Sequence, residues 1–447
     1  MIPPKPAART GKASVRRFVR DFRSDILSAQ SARLYRAWMA EFRGPFIHSF
    51  TCNDPKLVDL ILRRRPMDFP KSPRMAAGLT PLLGNSSFIS NGETWRHQRR
   101  IIDPAFERGR LRQSFAAMLA ASDAGAARLL ALADGQDIDI EPQTSHLAAD
   151  VIFRTLFSIP IQDRIAAQVF AAFRDHQDSQ PMVNAGGLLT LPRWLHFHSR
   201  RTKRSAARIR DLIGQLVAAR QERISSGDAP PDLATKIMTT PDPETGETFT
   251  RAEMIDEVAT FFLAGHETAA SALAWALFLL AEHPEWQDRI LAEGTARDFA
   301  DMRNLNAARA VFREALRLYP PVAMTVRECA HAETLRDRPA PKGAQLVISP
   351  FHLHRHERLW DNPDGFDPDR WDSENGKTCQ RKAFIPFSSG PRVCPGAGFA
   401  MIEGPLLLSA IIAACRIAPG DSRPVPVMRL TLRGKDGIRL RLTSRSG

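Results

Sequence analysis

The chain has little that would mark it as stapled, zinc-knuckled or membrane-anchored. Its five cysteines, at 52, 329, 379, 394 and 415, include no C-x-x-C pair and leave one over, which argues against a disulfide framework or a structural zinc. Any cysteine that matters acts alone. The start, MIPPKPAARTGKASVRRFVRDF, has no apolar stretch long enough for a signal-peptide core or a membrane anchor. Cytoplasmic residence is therefore expected, with residues 1–40 forming a basic arm that reads as a surface helix, a loose segment or an Arg-rich transit peptide. No repeat recurs and no long Gly/Ser linker splits the chain, so 41–447 reads as one large domain. Zinc-finger spacing, a basic region with heptads and an RNP-type aromatic pattern are all missing, which sets nucleic acid aside as a partner.

What is present is the composition of a soluble globular protein, with 43% hydrophobic and 25% charged residues. Lys and Arg exceed Asp and Glu by 62 to 49, a net charge of +13 that favours an acidic protein partner through electrostatic steering. Most of the span from Ser114 to Leu318 carries helix formers at 3.6-like spacing, broken by loops at Ser225 to Asp232 and Thr239 to Thr248. Strand signals are short. They fall at Phe46 to Thr51, around Gln345 to Ile348, and in MRLTLRG then GIRLRLT, which reads as a hairpin turning at Lys435, Asp436 and Gly437. The fold class is mainly α with a small β region.

One helix stands apart. Thr250 and Glu253 form a capping box and no proline follows until Pro284, so about 32 residues could run roughly 48 Å. It is apolar nearly all round from Val258 to Leu280, which admits a transmembrane reading. The polar stretch Gly265, His266, Glu267, Thr268 in its middle favours a helix buried in a large core. Glycine and an ionisable glutamate are costly there. AGHETAA is then either a kink with satisfied polar groups or a groove in which small residues admit a ligand while Thr268 and Glu267 handle protons.

The segment FSSGPRVCPGAG places Cys394 among glycines and prolines, unlike Cys415 in the apolar LLLSAIIAAC. A thiolate that ligates iron needs a loop presenting backbone N–H groups to the sulfur, and Gly390 and Gly396 permit that path, while Gly398 lets a following helix pack close to a flat cofactor. The positive end of that helix favours the anion further.

Read as F-x-x-G-x-R-x-C-x-G, with Phe387, Gly390, Arg392, Cys394 and Gly396, this loop resembles the haem-binding signature of the cytochrome P-450 family. Ala264, Gly265, Glu267 and Thr268 resemble the family's oxygen-binding pattern, with Glu in the acidic position. Glu314 and Arg317 in FREALRLYPP match its E-x-x-R helix, and Arg370 in FDPDRW matches the arginine that joins them in a buried structural triad. Trp95 and Arg99 in WRHQRR resemble its W-x-x-x-R helix, whose members would meet haem propionates with Arg327, and with His97 and Arg392 as further partners.

The resemblance implies haem b held by Cys394 as the axial thiolate. It implies a monooxygenase that inserts one atom of O2 into an apolar organic substrate. Electrons would come from NAD(P)H through a separate acidic ferredoxin or flavodoxin with its reductase, since no flavin or iron–sulfur segment follows RLTSRSG. Arg96, Arg100, Arg381 and Lys382 are the docking candidates. Substrate-lining segments would be Ala77 to Ser90, Phe261, Phe262, Val322 to Thr325 and Val425 to Met428, and the chain would be a monomer. A peroxide-using or isomerising haem-thiolate enzyme and a non-catalytic haem sensor are the rival functions. His352, His354 and His356 alternate as on a strand and could gather a metal, although the family's connection into FDPDRW accounts for them without one. Pro405 is a departure, because it falls inside the helix expected after the cysteine loop, where a proline removes a hydrogen bond and invites a kink.

Overall fold

A computed structural model describes residues 2–11, 21, 25–44, 47–179 and 199–445. Residues 12–20 and 22–24 of the basic arm lie outside the described residues, as does Phe46 at the start of the first expected strand. Helix accounts for 55% of the described residues and the sheets are small, which makes the fold mainly α. Contacts divide the span read above as one domain into two compact units. One comprises Met1–Pro70, Ser122–Ser145 and Thr268–Gly447, the other Lys71–Ala121 and His146–Glu267.

The first unit holds a four-stranded sheet in the order Met39–Arg43, His48–Cys52, Gln345–Ile348, Thr325–Glu328. His48–Cys52 and Gln345–Ile348 run parallel, with Phe50 opposite Leu346. Alternation along His48–Cys52 sends Phe50 and Cys52 into a core with Leu57, Ile61, Leu346, Trp360, Trp371 and Ile385, so the side-chain period of two fixes which face is buried. The expected C-terminal hairpin does not form. Leu432–Gly434 pairs with Pro426–Met428, while Arg439–Ser444 lies between Asp134–Asp139 and Cys415–Pro419. Gly437 does turn the chain, at φ +84°, but it hands the strand to partners far away in sequence.

Helix Asn306–Leu318 buries Val311, Phe312, Ala315 and Leu318 along one stripe and carries Glu314 and Arg317 on the same buried side. Helix Ala397–Ala414 follows the cysteine loop and runs through Pro405 without ending there. Histidines 352, 354 and 356 sit on a helical turn, Pro350–Leu353, and its exit, which corrects the expected strand alternation. His352 bonds Ser349 Oγ through Nδ1 at 2.8 Å, His354 Nε2 accepts Ile385 N–H at 2.9 Å, and the His356 ring stacks on Trp38 at 4.3 Å. Burial drives His352 and His354 down to about 3, so both rings stay neutral.

In the second unit the capping box is realised: Glu253 N–H donates to Thr250 Oγ1 at 3.3 Å, and Thr250 N–H to Glu253 Oε2 at 2.9 Å. Helix Arg251–Phe261 then changes to a π-helical turn over Phe262–His266, and α-helix resumes at Glu267–Glu282. The run Arg251–Glu282 and helix Ala397–Ala414 are long and apolar enough to cross a membrane, yet 78% of the apolar window of the first is buried in protein. That is a core helix. Phe262 packs against Phe153 and Phe173, with ring centroids 4.4 and 5.8 Å away.

Candidate functional site

The cysteine loop is shaped by backbone that side-chain-bearing residues rarely adopt: Ser388 and Gly390 have φ of +63° and +71°. A Cβ on Gly390 would collide with the Leu62 carbonyl, so only glycine allows the loop to dock on the turn Leu60–Arg64. Within the loop Val393 N–H donates to Gly390 O at 3.0 Å and Cys394 N–H to Phe387 O at 2.9 Å. Ala397 N–H returns to Cys394 O at 3.2 Å as the helix Ala397–Ala414 begins beyond Gly396. Cys394 is exposed, whereas Cys52, Cys329, Cys379 and Cys415 are buried. Desolvation raises the thiols of Cys329 and Cys379 to about 11 and pushes those of Cys52 and Cys415 up as well. Four inert thiols and one accessible sulfur at a helix N-terminus leave Cys394 as the chain's candidate thiolate.

In the same unit the three residues of the expected triad come together. Arg317 donates to Glu314 through Nε at 2.9 Å and Nη2 at 2.8 Å, and Arg370 Nε reaches Glu314 Oε1 at 2.9 Å. The guanidinium of Arg317 also donates to the carbonyls of His354, Pro363 and Gly365, and that of Arg370 to Asp361, Asn362 and Gly365. All three side chains are buried. Every guanidinium nitrogen that burial removes from water has thus been given a carbonyl or carboxylate.

Arg327 is different. It lies buried on strand Thr325–Glu328, and its guanidinium donates to the Val326 carbonyl at 3.3 Å, with no carboxylate paired to it among the described residues. Desolvation lowers it to about 10. A buried cation lacking a protein anion suits an anionic ligand group. Arg392 is half-buried in the turn Gly390–Arg392, and Gly398 is exposed.

In the second unit Trp95 is buried on helix Gly92–Ile102, and Arg99 Nε pairs with Asp103 Oδ1 at 2.6 Å. Arg100 corrects its expected role as a docking cation. Its guanidinium pairs with Asp242 at 2.6 Å, with Glu93 at 2.9 Å and with Glu244 at 3.0 Å. These bonds hold the Asp242 carboxyl well below the usual range. His97 Nδ1 meets the same carboxylate at 2.6 Å. Arg96 is exposed but pairs with Glu93 at 3.1 Å.

Ala264 and Gly265 fall in the π-helical turn, where a Cβ on Gly265 would come within 2.7 Å of Ile152 Cδ1. Glu267 is buried, accepts a hydrogen bond from Gln177 Nε2, and has His266 Nδ1 at 3.7 Å. Thr268, half-buried, follows as the first residue assigned to the other unit. Gln177 and the π-helical turn escaped sequence reading, because a single glutamine on helix Arg164–Ser179 carries no motif.

A sequence model of the family described as cytochrome P450 matches residues 32–440. The chain belongs to the cytochrome P450 family. Among curated relatives, cyclooctat-9-en-7-ol 5-monooxygenase of Streptomyces melanosporofaciens is 35% identical over 354 residues, 77% of this chain and 74% of that protein. Pentalenene oxygenase of Streptomyces avermitilis is 32% identical over 374 residues, 82% of this chain and 81% of that protein. The solved haem domain of cytochrome P450DA superposes with a TM-score of 0.80 at 25% identity, covering 99% of this chain and 98% of that one. This P450 is therefore an oxidoreductase of the oxygen-incorporating, monooxygenase class, whose family uses a haem-thiolate centre and O2.

Proposed function

We propose that this cytochrome P450 inserts one oxygen atom into an apolar terpenoid substrate, with Cys394 as the axial thiolate and with electrons from a separate acidic protein. The single observation that carries the ligand assignment is the contrast between exposed Cys394 and four buried thiols. Arg327 supports the fit, since a propionate would supply the anion that its buried guanidinium lacks, with Arg99, Arg392 and the indole of Trp95 as further contacts. The terpenoid class rests on relatives named for such substrates.

Bound haem iron supplies oxygen binding and O–O cleavage, favoured by electron density from the thiolate. The protein's share is the proton ledger. Each turnover takes up two electrons and two protons, places one oxygen atom in the substrate and releases the other as water. With haem held by Cys394, Thr268 would keep the proton donor for oxygen reduction in place. Glu267 would pass protons toward it, its carboxyl group held in direction by the hydrogen bond it accepts from Gln177. Ala264 would keep the helix surface low beside the ligand, while Gly265 gives Ile152 room to pack.

Thr268→Ala should leave haem content and substrate binding intact while product per reduced nicotinamide falls several-fold and hydrogen peroxide rises. Glu267→Gln should instead slow the whole cycle. The ratio of product to NAD(P)H oxidised, measured in all three proteins, tests this. An unchanged ratio and rate in both variants would favour a peroxide-using enzyme.

The acidic partner is assigned to helix Glu374–Lys382, where Arg381 and Lys382 are exposed and have no carboxylate partner among the described residues. Lys377 on the same helix pairs with Glu374 at 3.2 Å. Reduction by an acidic ferredoxin should slow steeply between low and 0.1 M salt, where screening acts over about 10 Å. Arg381→Glu with Lys382→Glu should flatten that dependence. A rate indifferent to salt and to both reversals would remove the assignment.

A further inference from the structure

Asp256 and Glu257 stand side by side on helix Arg251–Phe261, outside the proton relay, and both carboxylates are committed to one short loop. Gly84 ends helix Pro73–Leu83 at φ +55°, and a Cβ there would strike the Asp256 carboxylate. Asn85 N–H donates to Asp256 Oδ2 at 2.7 Å. Ser87 donates twice to Glu257, from N–H to Oε1 at 2.7 Å and from Oγ to Oε2 at 2.8 Å. Thr260, one turn on, donates to Ser86 Oγ at 2.6 Å. Two other helices fasten the same loop. Gln98 Nε2 donates to Asn85 O at 2.7 Å and Gln98 Oε1 accepts from Ser90 Oγ at 2.6 Å, while Arg210 donates to Leu82 O at 3.0 Å and pairs with Asp256 at 2.7 Å.

Glu257 is fully buried, and desolvation raises its carboxyl to about 7. A buried acid stabilises a fold poorly compared with an apolar residue of similar size, so its use here points to conformational definition. Both oxygens meet a single serine, which fixes the direction of Ser87 and with it the path of residues 84–90. We infer that Asp256 and Glu257 are positioning residues that hold the 84–90 loop as a rigid wall toward the substrate and thereby set which ligands fit. The inference rests on the proposal that Ala77 to Ser90 lines the substrate site.

The test uses the holoenzyme with two iron-binding probes, imidazole and the bulkier 4-phenylimidazole, titrated by absorption, alongside amide exchange at residues 85–87. In Glu257→Ala, exchange should accelerate about tenfold as the serine is released. Affinity for 4-phenylimidazole should shift by about tenfold while that for imidazole holds, the size of effect expected from altering one pocket contact. Glu257→Gln should restore wild-type behaviour, because its amide can accept from Ser87 N–H and donate to Ser87 Oγ. Ser87→Ala removes the hydroxyl alone and should shift the same ratio in the same direction by less, which keeps the idea testable if Glu257→Ala does not fold. Faster exchange with an unchanged affinity ratio would overturn the inference, as would a glutamine variant as disturbed as the alanine one. Failure of wild type to bind either probe would instead sink the haem-site reading.

Discussion

Cys394→Ser is expected to abolish the thiolate absorption of the reduced carbon monoxide complex and to reduce monooxygenation to background. A serine hydroxyl is a far weaker acid than a thiol and supplies no comparable anion to iron. The effect should be all or none, because the four remaining cysteines are buried, with thiols raised by desolvation, and cannot substitute. Cys415→Ala is the matched control, a buried thiol that opens the strand Cys415–Pro419. It should keep the spectrum. Retention of the thiolate band in the serine variant would remove Cys394 from the site.

Glu314→Ala should give unfolded or haem-free protein. The carboxylate accepts from Arg317, from Arg370 and, at 3.1 Å, from Asp367 N–H, so its loss strands two guanidinium groups with no route to water. Breaking a buried charge set costs roughly 3 to 5 kcal/mol, a large part of the stability of an ordinary domain. Arg317→Ala should be comparably severe, since it abandons three carbonyls as well. Arg99→Ala should do much less, because Arg99 pairs with one exposed aspartate at the helix end. The measurements are soluble yield, haem-to-protein ratio and the thermal midpoint. A stable holoprotein from Glu314→Ala would show that the buried set is dispensable.

Much of this arrangement could be read from short-range signals. The cysteine loop, E-x-x-R and FDPDRW are legible through their resemblance to the family's motifs, and the capping box at Thr250 through a spacing that helix geometry itself imposes. What stayed hidden depends on distant partners. Arg100 reads in the sequence as a docking cation, but Asp242, 142 positions away, lies beside it. The last strands have the alternation and turn of a hairpin, but Leu440 pairs with Ile138 and with Pro419, and alternation carries no information about which strand is the neighbour. Hydrophobic spacing is equally silent about the π-helical turn at Phe262–His266, since a helix apolar nearly all round has no stripe whose shift would reveal it. The histidine run failed for a related reason, because alternation over five residues is compatible with a helical turn once every ring is buried.

The docking of Gly390 on the Leu62 carbonyl bears on the order in which the protein can be made. Arg63 and Ser389, hydrogen-bonded beside that contact, are 326 positions apart, and the first sheet joins His48–Cys52 to Gln345–Ile348 over a similar distance. A nascent chain cannot form such pairings until nearly all of it has left the ribosome, and closures of that length come late in folding. The cysteine loop therefore has no early, locally folded precursor. A chain terminated before Gly390 would lack the docked loop altogether.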